Sequence, residues 1–120
     1  MTAYLIALTI TMLFTLVVHE GGHIMAILLT HAGRVKNIAI TWKGIGVRWE
    51  PFAYEPFKRA IVSLAGPAVN LAFAAAFYTV GLPLLGLAGL VFAIVNLLPL
   101  PGSDGLRAYY NLKAAVSQAF

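Results

Sequence analysis

His19-Glu20-Gly21-Gly22-His23 forms an HExxH pattern inside a long apolar run. Where such a stretch is helical, residues four apart are separated by about 40° around the axis and about 6 Å along it. Both imidazoles then converge on one metal ion, and Glu20 stands beside the open coordination position. That is the geometry of a zinc site with an adjacent general base. The chain contains no cysteine, so the ligands of any metal must be His, Asp or Glu.

A catalytic zinc takes three protein ligands and keeps the fourth position for water. The chain has only four acidic residues. With Glu20 reserved as the base, Asp104, Glu50 and Glu55 are the candidate third ligands, and His31 stands behind them. Asp104 follows Pro99, Pro101 and Gly102 and precedes Gly105, a composition that favours an irregular segment able to turn back toward the histidines. Non-helical backbone at membrane depth is tolerated where it lines a water-filled cavity. The competing role for Asp104 is a helix N-cap before Leu106.

These groups sit in an unusual background: 61% of the 120 residues are hydrophobic and 10% are charged, against about 25% charged in soluble domains. Too much apolar surface would face water, so lipid is the expected solvent and residues 1–120 the expected single membrane domain. A formal charge of +4 without a long basic run argues against nucleic acid and for topology signals. A first span is expected over about 3–30, carrying His19, Glu20 and His23 within it. No Lys or Arg precedes it, which argues against a secretory signal peptide. Clustered ionisable groups in a span cost about 2.5–3.5 kcal/mol each and call for a metal or a polar cavity.

Between His31 and Arg59 lie six basic residues, Arg34, Lys36, Lys43, Arg48, Lys58 and Arg59. Partial alternation from Val35, a turn at Lys43–Gly46 and Val47–Glu50 indicate a β-hairpin over about 35–50. Trp42 and Trp49 suit a headgroup-level position. Residues 60–103 hold no charge over 44 positions, enough for two crossings. Gly81-Leu82-Pro83 divides them into spans of about 59–80 and 84–98. Residues 106–120 read as an interfacial helix. The expected fold is thus an all-α membrane protein with three transmembrane helices and a small hairpin between the first and second. All eight basic residues then fall on one face, which the positive-inside rule makes cytoplasmic, with the N-terminus on the other face.

His19-Glu20-Gly21-Gly22-His23 followed by Asn96-Leu97-Leu98-Pro99-Leu100-Pro101-Gly102-Ser103-Asp104-Gly105 resembles the paired signature of the site-2 protease family of intramembrane zinc metalloproteases. The family's second motif, an N-x-x-P followed by Asp-Gly, falls here on Asn96, Pro99, Asp104 and Gly105. Ala65-Gly66-Pro67-Ala68-Val69-Asn70 is a third similarity. Ser103 departs from the apolar residue that more often precedes the Asp. The resemblance implies Zn2+ held by His19, His23 and Asp104, and Glu20 as general base for peptide hydrolysis. It also implies a transmembrane or membrane-proximal protein substrate and an active-site opening toward the cytoplasm. Strand addition at an edge in Val35–Glu50 would accept the backbone of an unwound substrate. Asn70 and Asn96 are candidates for holding that backbone, the alternative being interhelical hydrogen bonds. Two other functions compete: a noncatalytic module binding membrane segments, and a zinc-binding or zinc-transporting membrane protein. A regulatory partner or further copies of the chain are expected beside so small a core.

Overall fold

The computed structural model describes residues 1–41 and 44–120. Trp42 and Lys43, and with them the start of the expected turn and one of the two tryptophans, lie outside the described residues. The elements run α1 (Thr2–Thr30), β1 (Gly33–Thr41), β2 (Gly44–Pro51), α2 (Pro56–Thr79), α3 (Pro83–Leu97) and α4 (Asp104–Ala119). The protein is mostly helical, with one antiparallel hairpin between the first two helices.

α1 runs unbroken through the HExxH residues and ends at His31, whose left-handed φ of 52° lets its N–H cap the carbonyls of Ile27 and Leu28. The helix is polar on the inside. Thr11, Thr15, His19 and His23, spaced four apart, are buried together with Ile27. Leu5, Ile10, Leu13, Val17 and Leu28 are exposed on its other faces. Thr11 and Thr15 hand their hydroxyl protons to the carbonyls of Ala7 and Thr11, each at 2.8 Å, so neither is an orphan.

The hairpin pairs Thr41 with Gly44, Ile38 with Val47 and Arg34 with Glu50, and a bulge at Lys36 shifts the register between Val35 and Asn37. The expectation of a turn through Gly46 is corrected here. Gly44, Ile45 and Gly46 already belong to β2 and pair with Thr41, Ile40 and Ala39. Val35, Val47 and Trp49 pack against a small core of Ala26, Ile27, Ala32 and Val62, which seats the hairpin on α1 and α2.

α2 begins at Pro56, earlier than expected, because proline is pre-set for the first helical turn and sacrifices no bonded N–H there. Pro67 inside the same helix does remove a donor, the one that would reach the Ser63 carbonyl. Small residues let the helices approach. A Cβ at Gly22 would stand 2.8 Å from the Ala65 carbonyl oxygen, and one at Gly86 would stand 3.0 Å from that of Ala74. α3 packs on α2, and α4 lies back along α2 with Ala108 buried. Two helices, Thr2–Thr30 and Pro56–Thr79, are long and apolar enough to cross a membrane. α3, at 15 residues, reaches only about 22 Å.

Candidate metal centre

The pattern His19–His23 works because α1 stays helical at this point, placing both imidazoles on its buried face. Their Nε2 atoms lie 3.1 Å apart. The third group arrives from the far end of the chain. After α3 the backbone becomes extended at Leu98, turns through Pro101 and Gly102, and re-enters a helix at Asp104. Asp104 Oδ2 lies 2.9 Å from His19 Nε2 and 3.3 Å from His23 Nε2.

Ser103 makes this return possible. Its Oγ donates to the Leu98 carbonyl at 2.6 Å and accepts from the amides of Leu100 and Leu106 at 3.2 and 3.1 Å. Ser103, not Asp104, is therefore the N-cap of α4, which leaves the Asp104 carboxylate for the histidines. Gly105 closes the other side: a Cβ there would run into the Leu97 carbonyl.

Donor chemistry and spacing fit zinc. Tetrahedral coordination with ligand bonds of about 2.0–2.2 Å requires donor atoms about 3.3 Å from one another, and the three observed separations run from 2.9 to 3.3 Å. All three residues are buried, and the group could hold a metal ion. Two imidazoles and one carboxylate suit zinc, leaving one position for a fourth, non-protein ligand.

Glu20 follows His19 directly on α1 and is buried next to this group. Val47 of β2 lies close to its carboxyl group. The hairpin's position over Glu20 carried no sequence signal beyond its place in the chain.

The other candidate ligands are spent elsewhere. Glu50 pairs with Lys36 at 3.2 Å and Arg34 at 3.7 Å across the hairpin, and Glu55 pairs with Lys58 at 2.9 Å. His31 is the exposed cap of α1. Asn70 is 1% exposed, with its carboxamide 3.1 Å from His19 Nδ1. It makes the interhelical bond that was the alternative to a substrate contact. Asn96 is half-buried and donates to the Phe92 carbonyl at 2.8 Å within its own helix. Phe92 itself stands edge-on to His19, ring centroids 5.1 Å apart. In the sequence Gly66 stood out only as a small residue within the Ala65–Asn70 similarity, yet it lies directly against the imidazoles; Val62, whose carbonyl lies 2.7 Å from His23 Nδ1, was not singled out. The spacing of Val62, Gly66 and Asn70, four apart on one helix face, was the available signal.

Neither a scan of protein-family models nor a search of curated proteins returns a match to this chain. The functional assignment therefore rests on the site.

Proposed function

We propose that the protein is a zinc-dependent intramembrane endopeptidase of the site-2 protease type, cleaving peptide bonds in or near transmembrane segments. One observation carries this: His19, His23 and Asp104 present three buried donor atoms at the mutual spacing of a tetrahedral zinc, with Glu20 beside them. Zinc bound there supplies a Lewis acid for the scissile carbonyl and makes water more acidic. Glu20 takes the proton of the attacking water and passes it to the leaving amine. A protein that merely stored zinc would have no use for a carboxylate held next to the metal ligands and outside their set.

The membrane assignment draws on the inverted character of α1, polar within and apolar without, which would be unstable in water and is favourable in lipid. In the three-span topology, α1 and α2 cross fully. The third crossing is broken: α3 descends to the depth of the metal group, the Leu98–Ser103 segment turns the chain there, and α4 continues toward the basic face. Arg34, Lys36, Arg48, Lys58, Arg59, Arg107 and Lys113 then share the cytoplasmic side with the active-site opening. β2 pairs only with β1, and its outer edge is suited to receive an unwound substrate as an added strand.

The test is cleavage of a synthetic transmembrane peptide by the purified protein, with bound zinc measured in parallel. Glu20→Gln is expected to keep zinc and to cut at least 100-fold more slowly, within the range lost with a general base. Cleavage at the wild-type rate by that variant would refute the assignment of Glu20. A wild-type protein that holds zinc but cuts no membrane peptide would favour the storage function instead.

A further inference from the structure

Both histidines turn Nε2 toward the metal group and so turn Nδ1 toward α2. His23 Nδ1 lies 2.7 Å from the Val62 carbonyl oxygen, and His19 Nδ1 lies 3.1 Å from the Asn70 carboxamide. Gly66 sits between them, its missing side chain leaving the space the two rings occupy. Val62, Gly66 and Asn70 thus form one stripe of α2 that runs antiparallel to His19 and His23 on α1. The carbonyl and the carboxamide are not equivalent partners. A carbonyl oxygen only accepts, so His23 carries its proton on Nδ1 and keeps a bare Nε2. A carboxamide accepts through one end and donates through the other, so Asn70 serves either tautomer of His19.

Resting on the zinc site proposed above, we infer that this stripe is a tautomer clamp in which His23 is permanently set for metal and His19 is switched by Asn70, a positioning residue. Without metal, the Asn70 NH2 donates to His19 Nδ1. The Nε2–H of His19 then lies between Asp104 Oδ2, at 2.9 Å, and His23 Nε2, at 3.1 Å. One proton is shared among three groups that converge on it, and it occupies the place the cation takes. On metal uptake the N–H bond at Nε2 breaks and one forms at Nδ1, with the ring remaining neutral. The carboxamide rotates by half a turn and accepts that new N–H through its oxygen. His19 therefore releases no net proton when it becomes a ligand. Groups that hydrogen-bond the far nitrogen of a metal-ligating histidine commonly set metal affinity over 10–100-fold.

The experiment uses the full chain in detergent, with zinc affinity measured by chelator competition and imidazole tautomers read by nitrogen-15 NMR. Asn70→Leu keeps the volume and removes both hydrogen-bonding ends; it is expected to weaken zinc binding 10–100-fold. Asn70→Asp can only accept, so it is expected to bind zinc at least as tightly as wild type. In the metal-free wild type, His19 should show Nε2–H and His23 Nδ1–H, with His19 changing to Nδ1–H on zinc. Wild-type zinc affinity in Asn70→Leu, or a metal-free His19 already protonated on Nδ1, would overturn the switch. An altered KM for peptide with unchanged zinc affinity would do the same and return Asn70 to substrate binding. Failure of the zinc site itself is read separately, as a wild-type protein without stoichiometric zinc, whereas the tautomers of the metal-free protein test the clamp in either case.

Discussion

Gly66 is the position at which the smallest perturbation separates metal binding from folding. In Gly66→Ala the new methyl group would stand 2.5 Å from His23 Nε2 and 2.8 Å from the Cε1 atoms of both histidines. Ordinary contact begins at 3.4 Å, so rings and helix must part by about 0.9 Å, several times the roughly 0.2 Å that metal–ligand distances tolerate. Folding is affected far less. Alanine in a helix gains about 1 kcal/mol over glycine, and overpacking costs about 1–3 kcal/mol. The net change in stability is then about 0–2 kcal/mol. Zinc affinity is expected to fall by more than about 100-fold, or about 2.7 kcal/mol, because the displaced groups are ligands themselves. The assay is a titration with Co2+, followed by its visible absorption and then competition with zinc, beside thermal unfolding in the same detergent. Gly86→Ala is the control: its methyl group would press on the Ala74 carbonyl at 3.0 Å, at the α2–α3 contact and away from the metal group. It should change unfolding without changing zinc affinity. A folded Gly66→Ala protein that binds zinc within threefold of wild type would refute the steric reasoning, as would equal loss in Gly86→Ala.

Asp104→Ala removes the only carboxylate among the three donors and is expected to abolish stoichiometric zinc while helical circular dichroism persists; retained zinc would move the third ligand elsewhere. Ser103→Ala removes the cap of α4 and the bond to Leu98, at a cost of about 1–2 kcal/mol. It should weaken zinc about 10-fold through a misplaced Asp104, and a stability loss without any change in zinc affinity would show that Asp104 is held by other contacts.

The histidine pair and its helix were legible in the sequence because the pattern is local: helical periodicity alone brings His19 and His23 together. The irregular segment before Asp104 was legible for the same reason, since its prolines and glycines forbid regular structure wherever it lies. Choosing Asp104 over Glu50, Glu55 and His31 was a different problem. It depends on a chain return that brings residue 104 to residue 19, which the prolines and glycines before Asp104 permit and the family resemblance implies. The partner of Asn70 was hidden because it depends on the register between α1 and α2, which Gly22 against Ala65 and Gly66 against the imidazoles help to set. Ser103 looked like a departure at the site and is instead what fastens the return.

The ligands of the metal group come from opposite ends of the chain, His19 and His23 from its first quarter and Asp104 from its last. An ion bound there would act as a clasp, closing a loop of more than eighty residues in the way a disulfide would in a chain that has no cysteines. By the loop-closure relation for covalent crosslinks, such a clasp is worth on the order of 4 kcal/mol against the unfolded chain. The break between α3 and α4 lies inside that loop, beside the clasp. The ion proposed for the chemistry would thus also decide whether the C-terminal helix stays docked, so loss of metal would loosen α4 from the histidines of α1.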